Sequence, residues 1–154
     1  MTDHDIEWLA RTRQRGDVAA WLERIPYARR IGVSVENATD GDGLLFRLAP
    51  CEDNVGNVLL PALHGGVVAA FMETAATLDL MLAVREPRLP RVVDASIDYL
   101  RTARVVPTLA RCELLREGRR MANVRVWAWQ EEEGAPVATA RLHFALGGVT
   151  TQDA

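Results

Sequence analysis

The chain has 154 residues, 49% hydrophobic and 25% charged, a length and balance that suit one globular domain with a sizeable core. Its net charge of −3 is wrong for a general nucleic-acid binder, which needs a basic surface against phosphates. All 18 basic residues are arginine; without lysine there is no Schiff base, lysine nucleophile or P-loop.

The opening segment, MTDHDIEWLARTRQ, is acidic and amphipathic, unlike a secretory signal, and the expected location is the cytoplasm. Trp8 and Leu9, then Val18, Trp21, Leu22 and Ile25, recur at helical spacing. Gly16-Asp17 supplies a break and an N-cap, and Pro26 a stop, so two short helices are expected within 1–30. His4 falls in what reads as a mobile tail. IGVSVENA (31–38) and GLLFRLAP (43–50) read as a hairpin joined by the turn-rich TDGDG.

Next comes LHGGVVAAFMETAATLDL, residues 63–80, the core of a long helix. Between Val67 and Val84 its only charges are Glu73 and Asp79, which argues against a membrane span. A helix apolar all round must be covered all round. Four alternating segments follow, at 92–101, 108–117, 121–130 and 137–146, with short turn-like connections that imply antiparallel neighbours. In the last, Ala138, Ala140, Leu142, Phe144 and Leu146 face one way, while Thr139, Arg141 and His143 face the other. Trp127 and Trp129 share a strand face that could meet the leading helices.

The order ββ, long helix, ββββ predicts an α+β fold: one six-stranded antiparallel sheet curled around a central helix. The expected layout is a single domain over 1–154, with N-terminal helices in 1–30, a core at 31–146 and a frayed tail at 147–154.

Other chemistries find no support. Cys51 and Cys112, the only cysteines, are far apart and form no CxxC, so neither a disulfide scaffold nor structural zinc is expected. No His, Cys, Asp and Glu cluster has metal-ligand spacing. Neither serine, Ser34 or Ser96, lies in a nucleophile elbow, and GDG at 41–43 lacks the rest of a dinucleotide fingerprint. Neither a metal nor an organic cofactor is expected.

RRIGV, LHGGVVAAFMETAA and SIDYLRTAR together resemble the hotdog-fold acyl-CoA thioesterases, in the branch of the phenylacetate-pathway thioesterase, over about residues 27–146. An acid nine positions after the histidine of HGG is the specific part of the pattern. The resemblance implies hydrolysis of an acyl-CoA to free acid and coenzyme A. It also implies a homodimer, or a homotetramer of two dimers, because the acid acts on a carbonyl held by the opposite subunit.

On that resemblance Gly65 polarises the thioester oxygen, His64 holds the loop near the sulfur, and Glu73 is the general base or the nucleophile. The chemistry fits. The first N–H groups of a helix are unpaired and sit at its positive end, and Gly65 and Gly66 leave room for a carbonyl. Phe71, Met72, Ala75 and Ala76 beside Glu73 suggest apolar surroundings, the setting that makes a carboxylate a useful base. No basic partner lies three or four residues from Glu73, whereas Asp79, about 240° around the helix, reads as solvated or interface-paired.

Asn57 is the candidate for the asparagine that helps hold the water. It stands seven residues before His64, one more than the family spacing, with Asn54 further upstream. Counting back from Tyr99 puts Val92 where some relatives carry Ser or Thr. Arg101 and Arg104 are candidates for the coenzyme A phosphates, since guanidinium pairs well with phosphate oxygens. Two other readings stay open: a non-catalytic acyl-CoA-binding or sensing module, and a hotdog dehydratase or hydratase.

Overall fold

The computed structural model describes residues 3–37, 43–57, 59–85 and 89–147. Three helices lead: α1 (Asp3–Gln14), α2 (Val18–Leu22) and α3 (Pro26–Ile31). Asp17 caps α2 by accepting from the Ala20 N–H at 3.1 Å, and His4 belongs to α1. Pro26 opens α3 instead of ending α2. Its missing N–H costs nothing at a first helical position, so the stop signal was also a start signal.

The hairpin follows as β1 (Val33–Asn37) and β2 (Leu44–Leu48). A 3₁₀ turn at Glu52–Asn54 then leads into β3 (Val55–Asn57) and β4 (Ala62–Leu63), a small separate pair. The central helix α4 runs Gly65–Ala83. It is followed by β5 (Arg91–Tyr99), β6 (Thr108–Glu117), β7 (Met121–Trp129) and β8 (Ala138–Ala145). The expected tail lies, apart from Gly147, outside the described residues.

The main sheet has six strands in the order β1-β2-β6-β7-β8-β5, every neighbouring pair antiparallel. Its concave face wraps α4, the hotdog arrangement that the resemblance implies. Phe46, Leu48, Val124, Val126, Leu142 and Phe144 are buried with Val68, Phe71, Met72, Ala75 and Leu80 of the helix in one core. By length and composition α4 could cross a membrane; here its apolar side chains pack against the sheet.

The cover is one-sided. β5 is an edge strand, and its inward residues Ala95 and Tyr99, placed opposite Leu142 and Ala138 of β8, are exposed. Trp127 donates to Glu133 Oε1 at 3.0 Å in the loop after β7, not to the leading helices, whose main neighbours are β1 and α4.

Candidate active site

The mouth of α4 is built by close approaches around His64. Its imidazole Nδ1 accepts from the Gly66 N–H at 2.9 Å, which makes His64 the side-chain cap of the helix. An accepting Nδ1 carries no proton, so the tautomer is Nε2–H and that donor points away from the cap. A Cβ at Gly66 would stand 3.0 Å from His64 Nδ1, so only glycine leaves the cap undisturbed. At Gly56 a Cβ would come within 2.6 Å of His64 Cα. β3 therefore crosses the histidine at a distance no other residue permits.

The backbone behind the mouth is tied twice. His64 N–H donates to Asn54 O at 2.8 Å, and buried Asn54 donates through Nδ2 to Ile31 O at 2.8 Å. Leu63 N–H donates to Ala103 O at 2.8 Å, and Ala62 bridges to Arg104. From β5 the Tyr99 hydroxyl donates to Gly65 O at 2.7 Å. The Gly65 N–H, first in the helix, has no acceptor among the described residues. Fixed in place and at the positive end of a 19-residue helix, it is ready to receive a developing negative charge.

Glu73 lies two turns on, and it is exposed. Phe71, Met72, Ala75 and Ala76 all point into the core, so the apolar surroundings expected for Glu73 are absent within one chain. Its own face of α4 carries Gly66, Ala69, Ala70 and Thr77, none of them buried. Eight residues separate it from Gly65, about 12 Å along the axis. A single chain therefore does not bring the acid and the helix mouth to one carbonyl.

Asp79, read as solvated or interface-paired, is the acid that the single chain partly buries, and burial raises its pKa to about 6. Burial first, and then the Asp79 charge, pushes the Cys112 thiol on β6 well above its usual range.

The remaining candidates divide. Asn57 Oδ1 accepts from Leu59 N–H at 2.9 Å and Leu60 N–H at 3.2 Å, an Asx turn in the exposed loop before β4, so its oxygen serves its own loop. Val92 is partly buried opposite Phe144 of β8, at the far end of β5. Arg101 and Arg104 share a groove of about 360 Å³ with Thr102, Gln130 and Glu131. Arg101 Nη1 donates to Pro136 O at 2.9 Å, and Arg104 is ion-paired with Glu131. His143 sits 3.5 Å from the Asp94 carboxylate of β5. Sequence reasoning gave no role to Tyr99 or Gly56. Tyr99 stood inside the family-like SIDYLRTAR, whereas Gly56 left no signal beyond being a glycine near the motif.

Residues 60–137 match the family described as the thioesterase superfamily. A curated Escherichia coli K12 protein, "Medium/long-chain acyl-CoA thioesterase YigI", is 31% identical over 141 residues, spanning 82% of this chain and 89% of that one. A crystal structure from Chromobacterium violaceum is 37% identical with a TM-score of 0.73, covering 94% of this chain and 100% of that one. The phenylacetic acid degradation protein PaaI from Thermus thermophilus shares the fold, with 20% identity, a TM-score of 0.64, and coverage of 78% and 97%.

Proposed function

The chain belongs to the thioesterase superfamily and is a thioester hydrolase, and on that premise we propose that it hydrolyses an acyl-CoA across two copies of itself. Glu73 of one protomer activates a water, or attacks directly, at a carbonyl whose oxygen is held by the Gly65 N–H of its partner. The observation that carries this is the unaccepted Gly65 N–H at a capped, glycine-lined helix mouth, in a chain whose α4 has one exposed acid. As the carbonyl becomes tetrahedral its oxygen gains charge, and a fixed donor there lowers the barrier more than it binds the ground state. His64 Nε2–H is the group left to face the sulfur as thiolate departs. Arg101 and Arg104 contribute positive charge for the coenzyme A phosphates; the relative YigI, named for acyl-CoA hydrolysis, supports that leaving group.

A second reading is binding without turnover. It is favoured by Asn57, whose side-chain oxygen is occupied by its own loop, and by Val92 in place of a hydroxyl, both of which leave Glu73 without a polar helper. Thiol release from a panel of acyl-CoAs, with and without chelator, tests the two. Hydrolysis is expected of at least one thioester, unchanged by chelator. Tight binding with release at the uncatalysed rate would favour the second reading, and loss of activity in chelator would contradict the first.

A further inference from the structure

Thr77 follows Glu73 by four residues on the same face of α4, about 6 Å along the axis. It stands at the wall of a cavity of about 370 Å³ between α1, α2 and α4. The lining is hydrocarbon and indole: Trp8, Leu9, Trp21, Ile25, Leu78 and Met81. The buried polar groups beside it are engaged with one another. Trp21 Nε1–H donates to Thr12 Oγ1 at 2.6 Å, and the Thr12 hydroxyl is within reach of Trp8 O at 2.9 Å. At the rim the Arg24 guanidinium stacks 3.7 Å over the Trp8 ring and pairs with Asp5 at 3.3 Å. The space thus offers mainly apolar contact, with the Thr77 hydroxyl as a polar group on its α4 wall, in the size range of a small-molecule site.

We propose that this cavity takes the hydrocarbon tail of the acyl group, so that the leading helices α1 and α2 set the chain length the enzyme accepts. The inference rests on the acyl-CoA reading and extends it. Whichever protomer supplies the oxygen's donor, the reacting carbonyl lies beside Glu73. A tail running from there along α4 reaches Thr77 within its first few carbons and Met81 at about 12 Å. Burial of successive methylenes against Trp8, Trp21 and Leu78 is the attraction that grows with each carbon. Acetyl groups gain none of it; a medium-length chain gains most.

The test is a chain-length profile of kcat/KM from acetyl-CoA to palmitoyl-CoA for the parent and two variants. Thr77→Phe fills part of the cavity from the α4 wall, and the ratio of decanoyl to butyryl activity should fall at least tenfold. Trp8→Ala deepens the cavity and should move the optimum to longer chains. Melting temperatures confirm that each variant is folded. Decanoate binding followed by tryptophan fluorescence gives a readout apart from turnover, and Thr77→Phe should weaken it. Profiles and decanoate affinity identical in all three proteins would overturn the cavity assignment while leaving the hydrolase reading intact. Absence of hydrolysis for every thioester in the parent would instead overturn the acyl-CoA reading beneath it.

Discussion

Glu73 and Asp79 are the only charges on α4, and the fold gives them opposite surroundings. Glu73 faces outward, so Glu73→Gln removes a base without disturbing the core of the chain. Turnover should fall by a factor on the order of 10²–10⁴, the usual share of positioned general-base catalysis. The melting temperature should stay close to the parent's. Parallel stopped-time assays and thermal melts check this; equal activity, or unfolding that tracks lost activity, would contradict it. That one acid was out of place in so apolar a segment was legible in the sequence. Which acid the chain itself desolvates was not. On a helix with apolar residues on every face, periodicity does not say which side meets the sheet, and the reading gave apolar surroundings to Glu73 when the single chain gives them to Asp79.

At the scale of the element, Asp79 makes α4 pH-sensitive. Its carboxyl ionises at about pH 6 in the fold against 3.8 as the ordinary value, through burial. A raised carboxylate pKa penalises the fold only once the unfolded chain can ionise. The penalty is therefore absent below about pH 3.8, grows as pH rises towards 6, and is fully present above. Its size is at most about 3 kcal/mol. Asp79→Asn should nearly match the parent's melting temperature near pH 4, exceed it increasingly up to about pH 6, and exceed it by a steady margin at pH 7. A difference independent of pH would show that burial does not govern this group. The long elements were legible because their signals are long: a 19-residue, mostly apolar helix, and strands whose alternation matches the burial seen in β7 and β8. The missed ones are short. β3 and β4 span three and two residues, too few for a period of two to register. α3 begins at a proline, a residue that closes one helix or opens the next with equal ease. In β5 a bulge between Val92 and Asp94 shifts the facing of the side chains before it, so counting back from Tyr99 does not give the face that Val92 occupies.

At the scale of the whole molecule, two facts ask for a second copy. Gly65 and Glu73 are about 12 Å apart along one helix, yet donor and base must each lie near 3 Å from groups of the same thioester. Beside them the edge strand β5 leaves Val93 and Tyr99 exposed, with Leu100 just beyond and Leu59 and Leu60 in the loop before β4. An open edge with exposed apolar side chains is a surface that a second copy would cover. A two-fold axis that sets two α4 helices antiparallel would bring Glu73 of each to the mouth of the other and enclose it. The most direct measurement is therefore activity in mixed dimers of two inactive variants. Glu73→Gln lacks the base. Gly65→Pro lacks the N–H at a first helical position, and His64, at ψ 130°, already has the extended conformation that precedes proline. The exposed Tyr99 ring, 3.3 Å from a Cβ placed there, has to shift by a few tenths of an ångström. Each variant alone should be nearly inactive, with KM changed more in the proline variant. Co-expressed in equal amounts, they should recover about a quarter of parental turnover, because half the dimers are mixed and one of their two sites is intact. Mixed dimers as inactive as either variant alone would mean that donor and acid act within one chain, and would contradict a site shared between two copies.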